Sequence, residues 1–340
     1  KKKKNSFFFQ KVVAYQMLSY FCLFAVSILI QPNQEKSFLG WMRNNKKFYT
    51  GDEYHFRLGI YLSNSQFVQQ HNKAHKSFRI SLNKFATYTP TEYNALLGEK
   101  NSLPKLSVMK SQQKRDWPTP PDQLDWRDKG AVNDVVDQGS CGSCWAFSAI
   151  SAAESCWFLS KGELLKYSEQ NIIDCVTKCE GCGGGLRDEA YNYVLNNQDG
   201  QFNLESDYPY ENEDGFPCRF NKNKAVGGIK GYVSSKSKNE EDLLAHVAHY
   251  GPVTVGIDAS GPKFIMYAGG IYDDFDDCMT DNINHGVVCI GYGEEEGIKY
   301  WIIRNSYGSE WGENGYVRML RGINLCDVAT RVYAVYYDIE

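Results

Sequence analysis

The sequence predicts an α+β protein, with helical segments in the first part of the chain and short strands in the last third. Three observations carry this. Apolar and charged residues between about positions 35 and 97 recur at helical spacing. The segments between Cys144 and about Tyr210 keep the same periodicity. After Gly227 the pattern changes to short alternating or continuous runs rich in β-branched and aromatic residues. With 340 residues, 42% of them hydrophobic and 23% charged, the chain has apolar material for more than one core. The net charge is −4, and the only lysine run sits at residues 1–4, so nothing in the charge pattern supports a nucleic-acid partner.

Taken in order, residues 12–30 are apolar, preceded by lysines and followed by Gln31-Pro32. A run of about 19 residues fits a secretory signal or a marginal membrane span. We read residues 1–34 as a signal region, with Met17 able to serve as the start and an uncleaved anchor as the rival. Eleven cysteines suit an oxidising compartment better than a reducing one. Further on, Glu53, Arg57, Ile60, Tyr61, Asn64, Val68 and Asn72 share one face of a helix. Residues 100–121 are polar and proline-bearing, ending Trp117-Pro118-Thr119-Pro120-Pro121; such a stretch cannot hold a helix and reads as a linker open to proteolysis. Helices are expected over 145–160, 168–176 (opened by Ser168-Glu169) and 186–196. Strands are expected over 253–257, 287–292, 300–304, 315–319 and 332–337. There are no internal repeats.

The chemistry concentrates in Gln138-Gly139-Ser140-Cys141-Gly142-Ser143-Cys144-Trp145-Ala146-Phe147-Ser148. Cys144 stands immediately before an apolar, helix-forming run. A thiol at a helix N-terminus feels the positive end of the macrodipole, which favours thiolate. Gln138, six residues upstream, can bring a side-chain N–H close to that sulfur. A nucleophile beside an oxyanion donor is half of an acyl-transfer site; the other half is a base with its own orienting group. Two segments offer these: Asn284-His285-Gly286-Val287-Val288, and a strand-like run ending Asn305-Ser306-Tyr307-Gly308. His246 and His249, spaced as on one helix, lack such an asparagine.

In their order, and with His285 lying 141 residues after Cys144, these blocks resemble the papain/cathepsin family of cysteine proteases, where roughly 130–150 residues separate the two. The 53–72 face resembles the interspersed Glu-Arg-Phe-Asn-Ile-Asn signature of cathepsin L-type propeptides, with Tyr61 and Val68 as departures. Residues 81–87 resemble the second propeptide motif, with Ser81 and Thr87 departing from it. The resemblance implies a papain-like two-lobed fold: a helical lobe carrying Cys144 and a β-barrel-like lobe carrying His285 and Asn305, preceded by a mainly helical prodomain. It divides the chain into a signal region (1–34), an inhibitory prodomain with processing linker (35–118) and a protease domain (119–340). It implies a cysteine endopeptidase working through a thioester acyl-enzyme, made as a self-inhibited zymogen for secretion or a lysosome-like acidic compartment. No cofactor or metal is expected. The implied partners are protein and peptide substrates, the chain's own propeptide as intramolecular inhibitor and cystatin-like inhibitors, with no nucleic acid and a monomeric state. A catalytically silent binding protein on the same scaffold is the rival.

Carried over residue by residue, the resemblance makes Cys144 the nucleophile, His285 its base, Asn305 the group that orients the imidazole, and Gln138 with the Cys144 N–H the oxyanion donors. Tyr307 stands where the family usually has Trp; it keeps an aromatic lid but adds a hydroxyl that needs a partner. Gly184 and Gly185 would pair with an extended peptide. The S2 pocket would be lined by Leu186, Arg187, Gly256, Ile283, Gly286 and Arg331, with Asn284 and Trp311 also contacting substrate. Leu186 and Ile283 would favour an apolar or aromatic P2 residue, while Arg331, expected at the pocket floor, would admit an acidic one or else turn to solvent. The implied disulfides are Cys141–Cys182, Cys175–Cys218 and Cys278–Cys326. Cys175, Cys179 and Cys182 also have metal-ligand spacing, so zinc is the alternative for that run. A Cys156–Cys179 bridge stays open, and Cys289 reads as a buried free thiol.

Overall fold

The computed structural model describes residues 32–74, 77–100, 117–278 and 281–338. The apolar run at 12–30 and most of the 100–121 linker lie outside the described residues. The chain forms two compact units, residues 1–66 and 67–340.

In the first unit, α1 (Pro32–Asn44) packs on the start of α2 (Gly51–Lys73). Phe38 is the centre, fully buried and ringed by Trp41, Tyr49, Tyr54 and Tyr61. The Tyr54 hydroxyl donates to Glu35 at 2.8 Å, and Arg57 lies over the Tyr49 ring.

The second unit opens in the last turn of α2. There Asn72 donates to the Ile80 carbonyl at 2.8 Å and accepts from its N–H, pinning the first strand. The described residues form nine strands: β1 (Phe78–Ile80), β2 (Leu124–Asp125), β3 (Gly231–Ser234), β4 (Val253–Ile257), β5 (Tyr267–Tyr272), β6 (His285–Glu295), β7 (Ile298–Arg304), β8 (Tyr316–Leu320) and β9 (Val332–Tyr336). They run in the order β1-β5-β8-β7-β6-β4-β9-β3, with β2 on β6. Only β5 and β8 pair in parallel. The sheet buries Val255, Val287, Trp301, Ile303 and Met319 in one core.

A short helix, α3 (Pro90–Asn94), is started by a capping box between Thr89 and Glu92. The long α4 (Cys144–Lys161) is apolar almost all round, as a helix buried on every side must be, and ends on Gly162 in the left-handed conformation. It forms a second core with α5 (Glu169–Cys175), whose first turn is capped by Ser168, and α6 (Arg187–Asn197). Two helices follow on the strand-rich side, α7 (Glu240–Tyr250) and α8 (Pro262–Ile265). Helices around one core and strands around another give the α+β class expected.

Several elements escape the sequence pattern. β5 reads Tyr-Ala-Gly-Gly-Ile-Tyr, and two adjacent glycines erase its strand signal. By contrast α7 carries a legible start, Asn239 as N-cap followed by three acidic residues. The three expected disulfides are formed. Cys156 and Cys179 are free thiols, so the bridge left open between them does not form. Disulfides take Cys175 and Cys182 out of the run with zinc-like spacing. Cys289 is a buried free thiol on β6. Among the described residues no helix is long and apolar enough to cross a membrane.

Candidate active site

Strand register assembles the site. β4 and β6 pair Ile257 with His285, and β6 and β7 pair Val288 with Arg304, so Asn305 falls just past the end of β7, near His285. The imidazole Nε2 lies 2.8 Å from Asn305 Oδ1. A carboxamide oxygen can only accept, so the ring proton is on Nε2 and Nδ1 keeps its lone pair. Nδ1 is buried and has no hydrogen-bond partner among the described residues. Cys144 begins α4, and the N–H of Gly286, the residue after His285, donates to its Sγ at 3.4 Å.

Tyr307 stacks on the His285 ring at 4.9 Å between centroids. Its hydroxyl, the group that needed a partner, meets Tyr93 at 3.1 Å. Tyr93 in turn donates to the Ala259 carbonyl at 3.0 Å, so the Tyr307 proton is directed at the Tyr93 oxygen. Trp311 is buried edge-on beneath Tyr307, and its indole donates to Ile265 O. In this covered state it supports the Tyr307 ring.

Residues 96–100 lie across the cleft. Gln138 Nε2 donates to the Leu96 carbonyl at 2.9 Å, and its Oε1 accepts from the Ser306 hydroxyl, which fixes the way the amide faces. The Gly98 N–H donates to Cys144 Sγ at 3.2 Å. Gly98 O accepts from Gly185 N at 2.8 Å, and Lys100 N donates to Gly185 O at 3.0 Å. Glu99 N donates to Asn284 O at 2.9 Å. Glu99 and Gly185 thus pair in parallel. The segment sets an N–H, not a carbonyl carbon, against the sulfur. A side chain at position 98 would run into the Gly142 carbonyl, and beside it Gly184 approaches the Gly98 carbonyl.

This covering reverses the expected charge state. Burial pushes the Cys144 thiol up to about 12, against the N–H groups of Gly286 and Gly98, which act to lower it. Burial likewise pushes His285 down to about 4, opposed by its bond to Asn305. The covered site therefore holds a neutral thiol and a neutral imidazole instead of the thiolate–imidazolium couple. A helix dipole is worth about 0.3–1 kcal/mol, too little to offset several kcal/mol for an ion stripped of water.

In the expected S2 pocket, Arg187 is 0% exposed and grips the equally hidden Glu99 carboxylate with two bonds of 3.1 Å, from Nε and Nη2. Its remaining donors reach Thr254 Oγ1 at 3.0 Å and the Arg331 carbonyl at 3.2 Å. Burial works against the guanidinium charge, but Glu99 outweighs it and the pKa stays raised. Arg331 occupies neither the floor nor bulk solvent. Its Nη1 donates to Lys100 O at 2.8 Å, beside the Glu99 carboxylate at 3.8 Å. Ile283 is buried next to Gly256, Leu186 is half-buried, and Asn284 is held by Asp258. Glu99 and Tyr93 were missed from the sequence. One signal was available: Arg187 opens α6, where a cation opposes the dipole and needs an anion beside it. Of the other histidines, His246 is buried against Ser235 Oγ, 2.5 Å from Nδ1, and burial pushes it down to about 4.

A thiol, an imidazole and a carboxamide on one cleft between a helical and a strand-rich core define a class, and sequence comparison agrees with it. The profile described as "Papain family cysteine protease" matches residues 120–336, and that described as "Cathepsin propeptide inhibitor domain (I29)" matches residues 38–93. The chain belongs to the papain family of cysteine proteases and carries the propeptide of a zymogen. It is 42% identical over 275 residues to the "Probable cysteine protease RD21B" of Arabidopsis thaliana, covering 80% of this chain and 58% of that protein. It is 37% identical over 298 residues to the "Pro-cathepsin H" of Mus musculus, covering 86% of this chain and 87% of that one. The chain thus spans little more than half of the plant relative's length. Among solved structures, the digestive procathepsin L 3 of the Tenebrio molitor larval midgut superposes with a TM-score of 0.78 at 33% identity, covering 90% of this chain and all of that one.

Proposed function

We propose that the matured protein is a cysteine endopeptidase whose Cys144, His285 and Asn305 cleave peptide bonds through a thioester. On this reading residues 35–118 are the inhibitory prodomain and linker, residues 119–340 the protease, and residues 1–34 a signal for secretion or a lysosome-like acidic compartment. Once residues 96–100 leave, water re-enters the cleft and the Cys144 proton passes to His285 Nδ1, giving the thiolate–imidazolium couple. The thiolate attacks the substrate carbonyl carbon. The resulting oxyanion is held by Gln138 Nε2, where the Leu96 carbonyl now sits, and by the Cys144 N–H at the helix start. Collapse breaks the C–N bond as imidazolium gives its proton to the leaving amine, which leaves a thioester on Sγ. His285 then takes a proton from water, hydroxide adds to the thioester, and the acid product departs as Sγ regains its starting state. Asn305 keeps Nδ1 aimed at the sulfur throughout. Cystatin-like proteins would be inhibitors of such a cleft, and the enzyme would act as a monomer.

The single observation that carries this reading is that one backbone segment lies on the thiol and on the Gln138 donor together. Acidifying the purified full chain tests it. The wild type should shorten near residues 115–120 and then hydrolyse peptides, while Cys144→Ser should do neither. Equal activity before and after acid would refute the zymogen part, and hydrolysis by Cys144→Ser would refute the nucleophile.

A further inference from the structure

We infer that Arg187 makes the matured enzyme select a carboxylate side chain at P2, glutamate first, and that Glu99 is the built-in copy of that side chain. This rests on the peptidase reading above and adds its substrate class. The contact has the form of a recognition site: two parallel bonds of 3.1 Å between guanidinium and carboxylate, with both side chains out of water. Room for the guanidinium exists because position 256 is glycine; a Cβ there would come within 2.7 Å of Arg187 Nη2 and 2.6 Å of Ile283 Cγ2. The Tyr333 ring lies 5.2 Å from the guanidinium carbon, and Thr254 and the Arg331 carbonyl take the donors that Glu99 does not. The fork is thereby held in place whether or not a carboxylate is present. Arg331 adds a second positive charge at the rim, 3.8 Å from the same carboxylate.

When Glu99 departs, Nε loses its acceptor and Nη2 keeps only the Arg331 carbonyl. A leucine or phenylalanine in the pocket would cover those N–H groups without satisfying them, and a site built to bond a polar group rejects analogues that lack it. A lysine or arginine would meet two guanidiniums. A glutamate restores the bonds Glu99 made. In the sequence Leu186 and Ile283 pointed to an apolar or aromatic P2 residue and Arg331 to an acidic one; the geometry points to Arg187, with Arg331 holding backbone.

The test is a panel of fluorogenic peptides differing only at P2 (Glu, Asp, Gln, Leu, Phe, Arg), read as kcat/KM on the acid-matured full chain. Active sites are counted by titration with a thiol-reactive peptidyl epoxide. Glu should exceed its uncharged isostere Gln by about 10–100-fold, the worth of a hydrogen bond to a charged group. That ratio should shrink as pH falls through the substrate's own carboxyl range near about 4.3. Arg187→Met would strand Glu99 in the zymogen, so it is made together with Glu99→Leu. The double variant should mature, lose the Glu-to-Gln ratio and turn over Leu better than the wild type does. A purely structural Arg187 would lower every substrate alike and leave the ratio and its pH dependence untouched, which would overturn the inference. So would a wild type that titrates fully with epoxide yet shows Glu no better than Gln. A wild type that neither cleaves any peptide nor takes the epoxide would instead overturn the peptidase reading and the inference with it.

Discussion

Tyr93 and Tyr307 meet hydroxyl to hydroxyl at 3.1 Å, joining α3, just ahead of residues 96–100, to the ring that lies on His285. Phe85 packs edge-on against both rings, at 5.4 and 5.1 Å. The hydroxyl that distinguishes Tyr307 from tryptophan is thus satisfied by the prodomain, and departure of the prodomain leaves it without that acceptor.

Tyr93→Phe removes the acceptor and leaves the buried Tyr307 hydroxyl unpaired, at a cost of about 1–3 kcal/mol to the covered state. The full-length variant should convert faster in acid than the wild type. Adding Tyr307→Phe removes the stranded hydroxyl and should recover part of the delay, leaving only the Ala259 carbonyl without its donor. Timed gel analysis of processing at one pH checks both; equal rates for wild type and Tyr93→Phe would count against the contact.

Gly98→Ala places a methyl group against the Gly142 carbonyl, so the segment cannot lie on the sulfur as it does now. The unprocessed variant should be alkylated by iodoacetamide at neutral pH at least tenfold faster than the wild type, at an unchanged melting temperature. Alkylation as slow as in the wild type would show that the N–H contact does not shield the thiol.

Acid should loosen the covering, and the sign follows from His285. Burial lowers it from 6.5 to about 4, so between those values the uncovered site binds a proton that the covered site refuses. In a Cys144→Ala chain, where no thiolate can pair with the imidazole, the covered state is therefore at full strength above about pH 6.5 and weakens as pH falls toward 4, by up to about 3 kcal/mol. Hydrogen exchange on a processing-dead Cys144→Ala chain isolates the histidine. The protection factor of the Gly185 N–H, which bonds Gly98 O, should fall between pH 6.5 and 4 and stay level from 7 to 8.5. A level profile throughout would remove His285 as the acid-sensitive group.

Asn305→Ala deletes the acceptor that holds the ring proton on Nε2. In the matured enzyme kcat should drop about 10–100-fold with KM little changed, since the lost bond is strongest when the imidazole is charged. A rise in KM alone would assign Asn305 to substrate binding instead.

Local signals and non-local ones fared differently in the sequence. β4 spans the residues its Val-Thr-Val-Gly-Ile pattern demanded, and the α4 start was marked by small residues ahead of an apolar run. Cys144, His285 and Asn305 each came with their own short motif, and it was the family resemblance of those motifs that implied their proximity. What stayed hidden depends on chain segments brought together from afar. Glu99 meets Arg187 from 88 positions away, and nothing around Glu99 announces a buried charge. The neutral state of Cys144 is likewise a product of burial beneath residues 96–100, whereas the sequence showed only the helix end that favours thiolate. The aim of a long side chain is also set by its neighbours, which is why Arg331 turned to the Lys100 carbonyl while Arg187 took the pocket.

The most direct test is mass spectrometry of the chain treated with a thiol-reactive peptidyl epoxide before and after acid. One label per chain should fall on Cys144 after acid, with activity lost in proportion, and almost none should appear on the intact chain at neutral pH. Labelling of Cys156, Cys179 or Cys289 in its place, or equal labelling of Cys144 in both forms, would contradict a nucleophile silenced by residues 96–100.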